Sequence, residues 1–457
     1  MTIAGELASF VCRSSYEDLS QEAVLQLKIR VLDALGCAIG AIGAPPTELV
    51  KMQIEDFGTG GSCSLIGGGH TSPDQAAFYN SALVRYLDFN DSYLAPKETC
   101  HPSDNLGAVL AGAEYAGVGG KDFLTALAVA YQVQCRLSDE APVRSRGFDH
   151  TTQGSFAVAA GVSRALRLDH EQTANALSLC GTAFNALRVT RTGALSHWKG
   201  LAYPNTAFSC THAVFLAMRG VTGPPEVFEG NKGFIETISG PFHIDWAREN
   251  LERVTRTSVK KYNAEVHSQS AIEGTLELKA ENGFMGGDLA RLEIDTFDVA
   301  YNIIGGGEEG DRTVVETKEQ ADHSLPYVVA AAVLDGKVTP EQYKPERIMR
   351  EDIQDLLRKV VVRPLQTHSA RFPSEMPCTI RAFLKDGRVI LKEKKDHEGY
   401  FTNPFGWGHI VEKFEGLTAG RLEASIRREI VDVARGIESV TATELARLLG
   451  RIDRRGW

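Results

Sequence analysis

The spacing of apolar residues changes character near residue 255, and this change limits the fold more than any other feature of the sequence. Before it, apolar residues recur with the 3.6-residue period of helices. Val24, Leu27, Val31 and Leu35 form one stripe in EAVLQLKIRVLDALGCAIGA, with Ser20 or Asp18 available as N-cap. AAFYNSALVRYL, NLGAVLAGAEYAG ending at Gly117, FLTALAVAYQVQ and TAFSCTHAVFLAMRG ending at Gly220 read the same way. Their abundant alanine and glycine predict close helix packing. Beyond residue 255 the period shortens to two. RLEIDTFDVA alternates Leu292, Ile294 and Thr296 against charges, KVVVRPL gives a second strand, and CTIRAFLKDGRVIL gives two more joined by a hairpin turn at Asp386 and Gly387. The helix SLPYVVAAAVLDG lies among them, and IIGGGEEGD reads as a flexible loop because three glycines leave its backbone little restrained. Helical spacing then resumes in ASIRREIVDVARGI and in TATELARLLG, where Thr441 and Glu444 have capping-box spacing.

The expected fold class is therefore mainly α with an α+β part. A large all-helical domain covers 1–255, a smaller α+β domain covers 256–402, and the C-terminal helices of 403–457 return to the helical domain. The α+β domain becomes an insertion. A chain of 457 residues exceeds what one hydrophobic core organises, which suits this division.

The formal charge of −10 argues against nucleic-acid or anionic-membrane partners, which demand clustered positive charge. An anionic substrate must instead meet a local basic pocket. Neither a signal peptide nor a membrane-spanning run is visible, so the cytoplasm is the expected location, or an organelle matrix if a presequence has been removed. The eight cysteines are scattered without a C-x-x-C pair, which argues against a zinc ribbon, a local iron–sulfur motif and a disulfide framework. Buried thiols are expected, including Cys100 beside His101. Phosphate-loop, nucleophile-elbow and H-E-x-x-H motifs are missing, and no compact ligand pattern predicts a metal.

Five segments concentrate reactive side chains. DFNDSYLAPKETCHPSDN gathers Asp88, Asp91, Ser92, Lys97 and His101 in one connection, the mixture that proton transfer requires. A polar turn with Asp91 or Ser92 as a cap explains it as well. FDHTTQGSFAVAAG places His150 before a helix that Thr151 and Thr152 are positioned to cap; an imidazole near the positive helix end is held neutral, and a plain capping role is the alternative. ALRVTRTGALSHWKGLAYPNTAF carries Arg188, Arg191, His197 and Lys199, cations suited to carboxylates. An exposed basic turn accounts for the arginines, but less readily for Lys199 between Trp198 and Gly200. VKKYNAEVHSQSAIEG supplies Lys260, Lys261, Glu265 and His267 at the expected domain boundary, with surface charge and a structural histidine as the alternatives. In ADHSLPYVV, Asp322 or Ser324 caps a helix and His323 has a weaker claim to chemistry.

Together with VLDALGCAIGA and EVFEGNKGF, and in the order in which they occur, these segments resemble the MmgE/PrpD family across nearly the whole chain. That family includes 2-methylcitrate dehydratases and cis-aconitate decarboxylases. The resemblance implies a helical domain with a smaller α+β domain, assembly as a homodimer, and an active site that works without a cofactor or metal on a small polycarboxylate. It implies that Asp88, His101 and His150 belong to the active site, that Lys199 is the substrate-binding lysine and that Lys260 matches the lysine of a K-x-[FY] motif; with the residues' own chemistry this gives Asp88, His101, His150 and Lys199 as the expected catalytic residues and Ser92, Arg191, Lys260 and His267 as the expected substrate contacts. Ser92 replaces a threonine seen in some decarboxylases, and Glu265 stands where some members carry a histidine. The long Asp88–His101 connection and the W-K-G and H-P-S-D strings look more like the dehydratases. Dehydration of 2-methylcitrate, or of a related tricarboxylate such as citrate, to a 2-methylaconitate-type product is the expected reaction. Decarboxylation of cis-aconitate and epimerisation of a dicarboxylate are the enzymatic alternatives, and a non-catalytic ligand-binding or scaffold protein is the alternative of another class.

Overall fold

A computed structural model describes residues 1–58, 60–193 and 195–452. The chain divides into two compact units. The first comprises Met1–Arg191, His197–Thr257 and the chain from Gly406 onward; the second comprises Ser258–Phe405 with the short segment Thr192–Ser196.

The first unit is built on helices α1 (Ile3–Arg13), α2 (Gln21–Gly40), α3 (Pro45–Phe57), α4 (Pro73–Tyr86), α5 (Leu106–Ala116), α6 (Gly120–Glu140), α7 (Thr151–Ala165), α8 (His170–Ala183) and α9 (Trp198–Met218). The start and stop signals act as the sequence predicts. Ser20 caps α2 by accepting from the Ala23 N–H, and Gly117 ends α5 in the left-handed conformation. The most extensive helix pairs are α4 with α9 and α6 with α7. Small residues permit such approaches: a Cβ added to Gly161 of α7 would lie 2.9 Å from the Ala130 Cβ on α6. Two short antiparallel sheets supplement the helices, β1 (Cys63–Ser64) with β2 (His70–Thr71) and β3 (Tyr93–Ala95) with β4 (Glu98–Cys100).

The second unit has a four-stranded sheet in the order β6-β5-β7-β8, formed by β5 (Leu289–Thr296), β6 (Val360–Pro364), β7 (Cys378–Leu384) and β8 (Val389–Lys394). β5 runs parallel to β6 and antiparallel to β7. The β7–β8 hairpin turns at Asp386 and Gly387, with Gly387 at φ 91°, as its sequence predicts. The strand expected over 291–300 stops at Thr296, because Asp298 begins a short helix through Ile304. Helices α10 (Gln269–Asn282) and α11 (Leu325–Asp335) pack with the sheet around Ile272, Leu292, Ile294, Val329 and Ile380. Ser324, not Asp322, caps α11 by accepting from the Tyr327 N–H at 3.1 Å.

The last three helices are α12 (Trp407–Thr418), α13 (Ala424–Arg435) and α14 (Ala442–Gly450). α12 and α13 pack on α2 and α14 packs on α5, so the helical unit is completed from both sides of the insertion in the chain. The Thr441–Glu444 capping box is formed. Among the described residues no helix is long and apolar enough to cross a membrane.

Candidate active site

The site in the helical unit begins at the end of α4. Arg85 occupies a buried position on its last turn, and the chain leaves the helix through Asp88 at φ 52°, in the left-handed region. Such a conformation costs a non-glycine residue on the order of 1–3 kcal/mol, and it persists only where the surroundings impose it. Here Arg85 Nη1 donates to Asp88 Oδ1 at 2.6 Å, and Lys199 Nζ lies 3.5 Å from Asp88 Oδ2. Asp88 thus joins two cations, one from α4 and one from the first turn of α9.

The residues after Asp88 form a buried scaffold. Asp91 accepts from the Ser103 backbone and hydroxyl and from the Tyr131 hydroxyl, the last at 2.8 Å. The β3–β4 hairpin carries the chain back to His101, which leaves Lys97 exposed at its tip, away from the buried groups. His101 Nδ1 lies 2.8 Å from the Asp91 carbonyl oxygen and 3.1 Å from Ser92 Oγ. A carbonyl only accepts, so Nδ1 carries a proton and Nε2 is the ring atom left to exchange one. Cys100, next in sequence, is fully buried, with the Ser138 hydroxyl 3.3 Å from its sulfur.

His150 meets His101 edge to face, with ring centroids 5.6 Å apart, and stacks on Tyr203 at 6.2 Å. Gly154 makes room for that tyrosine: a Cβ there would lie 2.5 Å from the Tyr203 ring. His150 Nδ1 is 3.3 Å from Asp149 Oδ1, and its Nε2 is buried without a hydrogen-bond partner among the described residues. Burial, reinforced by Arg191, Arg85 and Arg188 against the opposing pull of Asp149, lowers the imidazole pKa to about 3. Neutrality was expected from the helix end. Its larger source is desolvation. Thr151 and Thr152 do not cap α7; both lie within it, and the Thr152 hydroxyl accepts from the Ala186 N–H.

Arg191 faces inward. Its Nε donates to Asp149 Oδ2 at 2.9 Å and its Nη1 donates to the Lys199 carbonyl at 2.6 Å, linking the His150 support to the first turn of α9. Burial alone would raise the Asp149 carboxyl, but the Arg191 guanidinium and the neighbouring imidazole hold it well below the usual carboxylate range. Arg188 is 3.8 Å from the same carboxylate, whereas His197 is exposed.

Three groups of this network were missed in the sequence reading. Asp149 stands beside His150, Arg85 is a cation among the apolar residues of α4, and Asp104 follows His101 by three positions. Asp104 is fully buried, accepts from Asn90 Nδ2 at 2.8 Å and lies 3.6 Å from Arg85 Nε. Burial, assisted by Asp91 and opposed by Arg85, raises its pKa to about 7. The available signal was charge at positions whose neighbours demand burial.

The α+β unit has its own buried polar group. Lys260 is fully buried. Glu265 accepts from the His267 backbone N–H at 2.8 Å and its other oxygen lies 2.7 Å from His267 Nδ1. Burial opposes the Glu265 charge, but His267, His323 and Lys260 outweigh it and bring the carboxyl to about 2. His267 packs against Phe297 and Phe372, and its Nε2 has no hydrogen-bond partner among the described residues. Asp322 holds His323 Nδ1 at 2.6 Å.

Residues 5–247 match the MmgE/PrpD N-terminal domain and residues 262–438 match the MmgE/PrpD C-terminal domain. The chain belongs to the MmgE/PrpD family. A 2-methylcitrate dehydratase of Cupriavidus necator is 28% identical over 84% of this chain and 83% of its own. A mitochondrial 2-methylcitrate dehydratase of Yarrowia lipolytica is 29% identical over 85% and 78%, and a fungal alkylcitrate dehydratase is 27% identical over 89% and 84%. This MmgE/PrpD member is accordingly an enzyme, a carbon–oxygen lyase of the hydro-lyase type.

Proposed function

We propose that the enzyme removes water from 2-methylcitrate, or from a close relative such as citrate, by acid–base catalysis without a cofactor. The observation that carries this reading is the pair of buried imidazoles, His101 and His150, in edge contact and tied through Arg85 and Arg191 to the Asp88–Lys199 ion pair. Dehydration breaks a C–H bond beside a carboxylate; its electron pair forms the double bond as the C–O bond breaks, and the hydroxyl leaves as water after gaining a proton. One group must accept a proton while another donates one.

His150 is the proposed base, since desolvation keeps it neutral and its Nε2 bears the lone pair. A polyanionic substrate raises its proton affinity by stabilising the imidazolium, which brings it into the working range. His101, anchored through Nδ1–H, is the proposed donor: in its imidazolium form it gives the Nε2 proton to the leaving hydroxyl and is left as the neutral ring. Lys199 balances the charge that develops on the substrate carboxylate, and Asp88 positions Lys199. Arg191 is recast from a substrate contact to the group that steadies Asp149. Ser92 fixes the His101 ring. Lys260 and His267 are proposed as substrate contacts, and the enzyme is proposed to be a homodimer.

The test is incubation of chelator-treated enzyme with 2-methylcitrate, citrate and cis-aconitate, followed by absorbance and mass. Loss of one water from 2-methylcitrate, giving an ultraviolet-absorbing product, supports the reading. Carbon dioxide from cis-aconitate, or activity abolished by the chelator, overturns the reaction or its cofactor-free character respectively.

A further inference from the structure

Lys413, on the inner side of α12, makes contacts that its distance in sequence from the site does not suggest. Its Nζ lies 2.6 Å from Asp33 Oδ1 on α2 and donates to the Phe89 carbonyl at 2.7 Å. The same ammonium sits over the Phe89 ring, 3.8 Å from its centroid. Carboxylate, carbonyl and ring face thus receive one small cation, a geometry that an ammonium with three donors satisfies. Both charged side chains are removed from water: Asp33 is fully buried and Lys413 nearly so.

A buried ion pair is weak as a stabilising device, because desolvation opposes the attraction and apolar replacements of equal volume frequently serve as well. This one fixes a particular peptide. Phe89 immediately follows Asp88, the residue in the left-handed conformation, and holding the Phe89 carbonyl and ring fixes the residue on which the peptide after Asp88 ends. Arg85 grips the side chain of Asp88 from one direction while Lys413 grips the next residue from the other. We infer that Lys413 and Asp33 are positioning residues that hold the Asp88 turn in the conformation that aims its carboxylate at Lys199. Their catalytic consequence rests on the proposed dehydration; their effect on the turn does not.

Removing one charge alone would strand the other in the interior, so the decisive variant is the double substitution Asp33→Asn with Lys413→Met, accompanied by Lys413→Met alone. Two readouts are taken on the folded double variant. Amide hydrogen exchange at residues 88–92 should accelerate by about tenfold or more, while exchange in α6 and α7 stays near wild type. Turnover of 2-methylcitrate should fall by about 10- to 100-fold, with KM changed by less than about threefold, because a displaced Asp88 costs alignment more than binding. Unaltered exchange at 88–92 in the folded double variant overturns the inference. Accelerated exchange with unaltered kcat retains the clamp and removes its catalytic role. If wild-type enzyme leaves 2-methylcitrate unchanged, the functional reading fails, and the exchange measurement still decides whether Lys413 holds the turn. Should the double variant not fold, Lys413→Arg, which keeps the charge but not the compact three-way fit, is read by the same exchange criterion.

Discussion

The two units treat their buried histidines differently. In the helical unit the carboxylate behind His150 is shared: Asp149 is held by Arg191, with Arg188 nearby, so its charge is largely answered before the imidazole is considered. Desolvation then prevails and His150 stays neutral, its pKa lowered to about 3. In the α+β unit Glu265 takes a hydrogen bond from the His267 backbone and pairs with its ring, and that carboxyl falls to about 2. His150 teaches that a carboxylate beside an imidazole does not by itself make an imidazolium. Desolvation outweighs the pull of Asp149, and the arginines around that carboxylate add to it.

The comparison breaks most visibly in turnover. Replacing His150 or His101 by asparagine should reduce kcat by about 10²- to 10⁴-fold, the range for a lost general acid or base. Near-normal turnover in both folded variants would move the chemistry elsewhere. Arg191→Met sharpens the electrostatic half of the argument. With that cation gone, Asp149 is shared only with the more distant Arg188, and the His150 titration followed by NMR should move upward from about 3 toward its ordinary value. No movement would show that desolvation acts without help from Arg191.

Acid stability separates the units by pH window. The Glu265 carboxyl is depressed from 4.5 to about 2, so its contribution is complete above 4.5 and is lost as pH falls toward 2. That contribution is on the order of 3 kcal/mol. The stability difference between wild type and Glu265→Gln should shrink over that interval in denaturant titrations. His150 acts earlier: its folded value of about 3 lies below the ordinary 6.5, so stability declines as pH falls through that range, and His150→Asn should flatten this decline. The Asp104 effect has the opposite sign. Asp104 is raised from 3.8 to about 7, so its favourable contribution is present below 3.8 and disappears as pH rises through 7. Asp104→Asn should therefore gain stability relative to wild type at pH 8 compared with pH 4; an unchanged difference would assign Asp104 an ordinary acidity.

Much of this architecture was legible because local signals coincided. Ser20, Gly117, Thr441 with Glu444, and Asp386 with Gly387 mark ends and turns that depend mainly on nearby backbone. The sheet order was not legible, since the parallel pairing of β5 with β6 joins segments more than sixty residues apart. The site shows the same boundary. His101 and His150 stood out by residue type, but the charge state of His150 depends on its burial and on the arginines gathered around Asp149, and spacing carries no such information. Arg191 is the clearest case: the sequence offers it as a substrate contact, whereas folding turns it toward Asp149. Thr151 and Thr152 were misread as caps because the helix starts directly after His150.

The placement of α12–α14 on α2 and α5 has a consequence for how the molecule is made. During synthesis, the helical unit emerges with part of its apolar surface uncovered, and the residues that cover it arrive only after the whole α+β insertion has been translated. The insertion can bury its own core while still tethered to the ribosome. The helical unit must wait, with the face of α2 open to chaperones or to misassembly until α12 arrives. Its final closure is a long-range event, and by the rule that links distant contacts to slow folding it belongs among the last steps.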